Sequence, residues 1–405
     1  MTAFVQRAAR DPERLSFESE VVARDGDIVE LAETYFFAES GGQPPDRGTI
    51  DNRQVTDVRF ETDRIVHELE SGDGLTVGDT VSGTIDPLFR RYCRRAHTAS
   101  HVLYGAARRE LEALGYGGFE IDDRKVRIDF ESREGIDDEQ MIAIEQRANE
   151  VVWESRRVRW EQLPQQAAIA DDAVAFNIAT EDIFEQTETV RIVEVEGWDR
   201  AACGGTHVTN TQEIGPITVL GRSNPGSGLT RIEFAVGPTA IGQRATERAA
   251  MRRVAHRLNV QPSMIDEAVE QLETQRSADR NRIDALEQQL LAERIDEFER
   301  RELGDHVWGV GRLPDVTSDT TSAVLRETLQ TDGLSVIVGV TGDDRTTITV
   351  ASDGRFDADT IVNRVTGTLG GGGGGDETFA QGGGIPETPD EVIGTLTGVI
   401  EEISE

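Results

Sequence analysis

From Phe17 to about Thr84 the apolar residues fall in short runs, broken every eight to twelve positions by Gly, Asp or Pro. Asp27-Ile28-Val29-Glu30-Leu31 and Arg64-Ile65-Val66-His67-Glu68-Leu69 are examples of the alternation that β-strands show. The spacing predicts a small β-barrel over residues 1–88. Near Pro87 the period changes. Phe89 to Leu114 repeats its apolar residues at helical spacing, with Gly105 the one internal glycine before Leu114. A mixed region follows, with strands such as Val126–Phe130 and Leu229–Val236 and a helix from about Asp138 to Val152. Residues 89–240 therefore read as one α/β domain.

From residue 241 to 303 the chain is polar, charged and helical. Ile265, Val269, Leu272, Ile283, Leu286 and Leu290 lie on a heptad seam that Arg276 and Asp279 interrupt. The pattern predicts a helical arm or hairpin. After Gly304, strands such as Ser335–Val340 and Thr346–Val350 alternate with helical stretches, giving a small α/β domain over 304–405. It holds six consecutive glycines, Gly370 to Gly375. The expected class is α+β, built from a barrel, an α/β domain, a helical arm and a C-terminal α/β domain.

Charge changes this picture at the surface. Seventy-six acidic residues face 42 basic ones, for a formal net charge of -34, and Lys125 is the single lysine. Such a surface resembles that of proteins from organisms with molar intracellular salt, where repulsion is screened within roughly 3 Å. No apolar run is long enough to span a bilayer, Met1 to Arg10 lacks a signal-peptide core, and two cysteines cannot build a disulfide framework. The expected location is cytoplasmic.

The chemistry is concentrated in two short segments. His97-Thr98-Ala99-Ser100-His101 sets two imidazoles at i and i+4 on one helix face. Cys203-Gly204-Gly205-Thr206-His207 offers a thiolate and a third imidazole across a glycine bend. Three imidazoles and one thiolate suit Zn²⁺ better than Mg²⁺ or Ca²⁺. Cys93, one turn before His97, is a rival ligand but reads as a packed small hydrophobe. His67, His256 and His306 are isolated and read as structural or surface residues.

These paired segments resemble the signature of the alanyl-tRNA synthetase editing domain and its free-standing AlaX relatives. Thr34 to Gly48, containing Ser40-Gly41-Gly42-Gln43-Pro44, is similar to the family's barrel motif, with Ala38 and Ser40 where Pro and Gly are usual. Arg127-Ile128-Asp129-Phe130 and Gly228-Leu229-Thr230-Arg231-Ile232-Glu233 resemble two of its strands. Gly370–Gly375 with Phe379–Gly384 is similar to the DHHA1 domain of long-form AlaX proteins, although the glycine run lacks its usual basic residue.

The resemblance implies a zinc-dependent hydrolase that deacylates mischarged Ser-tRNA(Ala) and Gly-tRNA(Ala). The barrel starts close to Met1, so the chain is expected to edit without charging tRNA. His97, His101, Cys203 and His207 would hold the metal. Thr34 would read the serine hydroxyl, Gln43 would act in the active site, and Asp129 and Arg231 would join them in binding substrate. Arg90, Arg91, Arg94 and Arg95 form the densest basic cluster for tRNA, with Arg156, Arg157 and Arg159 a second. A homodimer through the C-terminal region is expected by analogy. Zinc could activate water or orient the substrate. Two other readings stay open: a non-catalytic tRNA-binding module with structural zinc, and a small-substrate phosphoesterase, which lacks the Asp-His-His metal motif it would need.

Overall fold

The computed structural model describes residues 5–404, apart from 63, 112–113, 132–134, 172, 177–187, 227 and 343–344. It resolves into two compact units, Met1–Arg253 and Val254–Glu405.

In the first unit a short helix α1 (Arg7–Arg10) precedes six strands: β1 (Ser16–Asp25), β2 (Ile28–Leu31), β3 (Gly48–Ile50), β4 (Arg53–Glu61), β5 (Arg64–Leu69) and β6 (Thr80–Ile85). They close an antiparallel barrel in the order β1-β2-β5-β4-β3-β6. β1 alternates exposed and buried positions along Ser16–Val21, the period-2 pattern read from the sequence. Phe17, Val21, Phe36, Ile50 and Val81 fill the barrel core.

Helix α2 (Pro87–Glu110) follows at once. Asp86 caps it, accepting from the amides of Leu88 and Phe89, and Pro87 supplies a preset first-turn φ. Strands β7 (Gly115–Ile121) and β8 (Val126–Glu131) come next, then helix α3 (Asp138–Trp153), β9 (Val158–Pro164), helix α4 (Gln165–Ile169), β10 (Val174–Ala175), β11 (Thr189–Val195) and β12 (Asp199–Ala202). The unit ends with β13 (Ile217–Gly226), β14 (Leu229–Val236) and most of helix α5 (Gly237–Leu258). These strands form two sheets, β10-β12-β11-β9 and β13-β14-β8-β7. Ala99, Leu103 and Ala107 of α2 share a core with Ile128, Phe130 and Ile232 of the second sheet.

The second unit contains helix α6 (Ile265–Asp296), β15 (Glu299–Leu303), β16 (His306–Arg312), helix α7 (Ser318–Thr331), β17 (Val336–Thr341), β18 (Thr346–Ser352), helix α8 (Ala358–Leu369), β19 (Gly372–Gly375), β20 (Phe379–Ile385) and helix α9 (Pro389–Ser404). One six-stranded sheet runs β15-β16-β17-β18-β20-β19. Val336, Val338 and Val340 face the core made with α8 and α9, while Ile337 faces the one made with α7 and the end of α6. Helical character was expected to persist to Leu303, but the helix stops at Asp296 and Glu299–Leu303 is an edge strand. Its charged side chains, suited to an exposed edge, hid the strand signal. The glycine run forms the opposite edge, β19.

Candidate metal centre

Helix α2 carries His97 and His101 on its buried face, one turn apart. The segment after β12 brings Cys203 and His207 to the same place. Gly205 makes this approach feasible, because a Cβ there would lie 2.1 Å from His97 Cε1. One donor atom from each of His97, His101, Cys203 and His207 lies within 4.8 Å of the others. Cys203 Sγ sits 3.2 Å from both His97 Nε2 and His207 Nε2. A tetrahedral zinc would separate its N and S ligands by about 3.5 Å, so the cluster fits such an ion.

The imidazoles are held from behind. Gln43 Oε1 is 3.0 Å from His97 Nδ1, Asp199 Oδ2 is 2.9 Å from His101 Nδ1, and Thr98 Oγ1 is 3.2 Å from His207 Nδ1. Thr98 gives its own proton to the Arg94 carbonyl, so it accepts from His207. All three acceptors therefore hold an Nδ1–H and turn each Nε2 toward the common centre.

Electrostatics match this arrangement. Burial opposes a charge on Cys203, but His97, His207 and His101 hold its thiol well below the ordinary value. Burial lowers His207 to about 3. Burial also works against charge on His101, yet Asp199 and Cys203 raise it to about 10. The loop itself rests on Arg191, whose guanidinium donates to the Cys203 and Gly205 carbonyls and to Ala9 of α1. Burial without a carboxylate brings Arg191 down to about 10.

The structure brings Gln43, His97, His101, Cys203 and His207 together. Gln43 is fully buried: its carbonyl also accepts from the Thr206 amide, and its Nε2 donates to Thr206 Oγ1. It acts on His97. Thr34 bonds elsewhere, to His67 Nε2 at 2.8 Å and to the Phe36 amide. His67, read as isolated, is fully buried and lowered to about 4 by that burial. Cys93 lies outside the cluster, packed, with burial raising its thiol.

Asp129, Arg231 and two of the four clustered arginines are engaged within the protein. Asp129 and Arg231 face each other across β8 and β14 in a bidentate pair at 2.7 and 2.8 Å. Their neighbours Ile128, Phe130 and Ile232 point into the core shared with α2, so strand alternation puts this ion pair on the other face of the sheet. Among the four arginines, Arg90 is buried in an ion pair with Asp46 and also holds the Tyr35 and Pro12 carbonyls. Arg94 is buried too, holding the His207 carbonyl and Glu13. At i and i+4 these two share the inner face of α2, while Arg91 is exposed and Arg95 half-buried. Arg156 and Arg159 pair with Glu154 and Glu194.

Sequence reasoning missed Asp199, Thr98, His67 and Arg191. Only helical phase around His97 pointed to Thr98; the others lie far away in the chain. Among the described residues no helix is long and apolar enough to cross a membrane.

Comparison with known proteins gives three family matches. Residues 6–88 match the class II (A) tRNA synthetases, 190–233 the threonyl and alanyl tRNA synthetase second additional domain, and 308–402 the DHHA1 domain. An alanine--tRNA ligase of Pyrococcus abyssi is 30% identical over 92% of this chain and 41% of its own length. One of Methanopyrus kandleri is 30% identical over 97% of this chain and 44% of its own. The chain thus spans less than half the length of these relatives. The C-Ala domain of Aquifex aeolicus alanyl-tRNA synthetase aligns at 21% identity over 25% of this chain and 98% of that one, with a TM-score of 0.23.

Proposed function

We propose that this chain, a relative of the alanine--tRNA ligases that carries their second additional domain and DHHA1 domain, is a zinc-dependent aminoacyl-tRNA hydrolase acting on Ser-tRNA(Ala) and Gly-tRNA(Ala). The observation that carries this reading is the convergence of three Nε2 atoms and one thiolate, each imidazole fixed from behind. Zinc bound there would bring the pKa of a water toward ~7 or polarise the ester carbonyl.

The protein's own groups do the positioning. Gln43, Asp199 and Thr98 aim the imidazoles. Cys203 is the donor residue with the most exposure, and we assign it as the ligand that yields when substrate enters, with His97, His101 and His207 staying. Thr34 is assigned as the reader of the serine hydroxyl. His67 Nδ1 faces the Val29 carbonyl, so His67 Nε2 must accept the Thr34 proton. Thr34 then offers lone pairs only, suited to a hydroxyl that donates. A site that hydrogen-bonds this hydroxyl disfavours the alanyl ester, which lacks it, and makes the glycyl ester, which lacks it too, the slower of the two substrates.

Deacylation of Ser-tRNA(Ala) by the purified chain, before and after chelation, tests the reading. Zinc-restored turnover supports it. The closed four-donor set favours a second reading, a tRNA-binding module with structural zinc; tRNA binding without turnover would establish that one.

For tRNA contact we assign Arg91, Arg95 and Arg157, which are not committed to the buried pairs described above. For self-association the α6 seam is the best-supported surface: Val269, Leu272, Ile283, Leu286 and Leu290 are 40–55% exposed. Antiparallel pairing with a second copy sets Ile265 against Leu290, Val269 against Leu286, and Leu272 against Ile283. Its central layers set Arg276 against Asp279, so the two residues that interrupt one seam neutralise each other between two. Sedimentation should show a dimer that R276D weakens and the R276D/D279R double variant restores.

A further inference from the structure

Asp199 opens β12, and its side chain is 1% exposed. Oδ2 meets His101 Nδ1, while Oδ1 is also buried and has no hydrogen-bond partner. A carboxylate kept this dry is costly to bury unless a partner offsets the lost hydration.

The fold goes to some length to hold it there. Trp198 Nε1 donates to the Val102 carbonyl at 3.0 Å, fixing the Trp198-Asp199 step against α2 next to His101. Gly105 leaves room for that indole: a Cβ would stand 2.4 Å from Trp198 Nε1. Arg109 closes the far side, stacked 3.7 Å over the Trp198 ring and donating to the Trp198 carbonyl. The glycine inside α2 and the Trp–Asp step are thus parts of one arrangement that ends at an imidazole nitrogen.

We infer that Asp199 is a positioning residue for the metal centre, committing His101 to ligate through Nε2 and strengthening it as a donor. This rests on the reading that the four-donor cluster holds zinc. Of the three acceptors behind the imidazoles, Gln43 and Thr98 are neutral and Asp199 alone carries charge. A charged acceptor hydrogen-bonds more strongly than a neutral one and makes the ring it holds a better base. An amide at this position would keep the shape, lose the charge, and be free to turn its NH₂ toward Nδ1.

The test uses the full chain and metal alone. Zinc affinity is measured by competition with a chromophoric chelator, and Co²⁺ is bound to report the ligand field by its visible spectrum. D199N and D199A should bind zinc ten- to a hundred-fold more weakly, as loss of such partners does elsewhere, with a shifted Co²⁺ spectrum. D199E, which restores the carboxylate, should recover part of the loss. Wild-type affinity and an unchanged spectrum in both D199N and D199A would overturn the inference while leaving the zinc reading intact. A wild-type chain that binds neither metal would overturn both. Should D199N and D199A fail to fold, ¹⁵N NMR of the zinc-bound wild-type chain decides: a proton on His101 Nδ1 with the metal at Nε2 supports the role, and a metal at Nδ1 overturns it.

Discussion

The two units hide different kinds of group. The first buries Gln43, Asp46, His67, Arg90, His97, His101, Arg191, Asp199 and His207; in the second, the buried polar side chains among the described residues are all serines and threonines. Those hydroxyls mostly bond to nearby backbone, as Thr346 does to the Glu387 carbonyl and Thr366 to that of Val362. The second unit is therefore a plain three-layer support whose distinctive features lie on its surface, the glycine edge and the α6 seam. The first accepts large desolvation costs inside, and each fixes a donor, a loop or a layer.

The contrast can be tested in order of expected effect. His101→Ala or His207→Ala should remove zinc and abolish deacylation, read by metal analysis and by release of serine from Ser-tRNA(Ala); full activity in both would dismiss the site. Asp46→Ala strands a buried guanidinium and should cost the first unit about 3–5 kcal/mol. In calorimetry its transition should fall by about 10 °C, with that of the second unit unmoved. A common shift would mean that the units do not unfold separately.

Acid should act on the same unit. Burial holds His67 down at about 4 in the folded chain, against an ordinary 6.5. Between those values the unfolded chain binds the extra proton, so stability rises with pH across that window and is lost on acidification. The His67 contribution amounts to about 3 kcal/mol. H67Q in metal-free protein should lower that slope in denaturant titrations between pH 7 and pH 4, leaving the share of His207, which burial also lowers. Thr34→Val should be the mildest, leaving the fold in place and narrowing the preference for Ser-tRNA(Ala) over Ala-tRNA(Ala) by roughly tenfold. An unchanged ratio would reject Thr34 as the hydroxyl reader.

Periodicity made β1, α2 and α3 legible, because each buries one face and repeats at 2 or 3.6 residues, whereas β17, covered on both faces, showed as an apolar run and the charged edge strand β15 did not show. The four metal donors were legible because their types are scarce and locally spaced. Their supports were not: Asp199 lies 98 residues from His101, and Gln43 lies 54 from His97. Only the fold decides which carboxylate or amide meets which nitrogen. The arginine cluster divides for a related reason. Neighbours in sequence point 100° apart on a helix, so Arg90 and Arg94 went inward with Cys93 and His97. A glance at helical phase would have separated them from Arg91 and Arg95.

The Arg90–Asp46 bond also bears on how this protein can be divided. Composition shifts at Pro87, and a cut there looks natural on paper. Yet Arg90 reaches back across that point to Asp46, Tyr35 and Pro12. A fragment ending before α2 keeps a buried carboxylate without its cation, and one starting at α2 keeps the cation alone. The barrel and the histidine helix should accordingly express, refold and be exchanged between relatives as one indivisible piece.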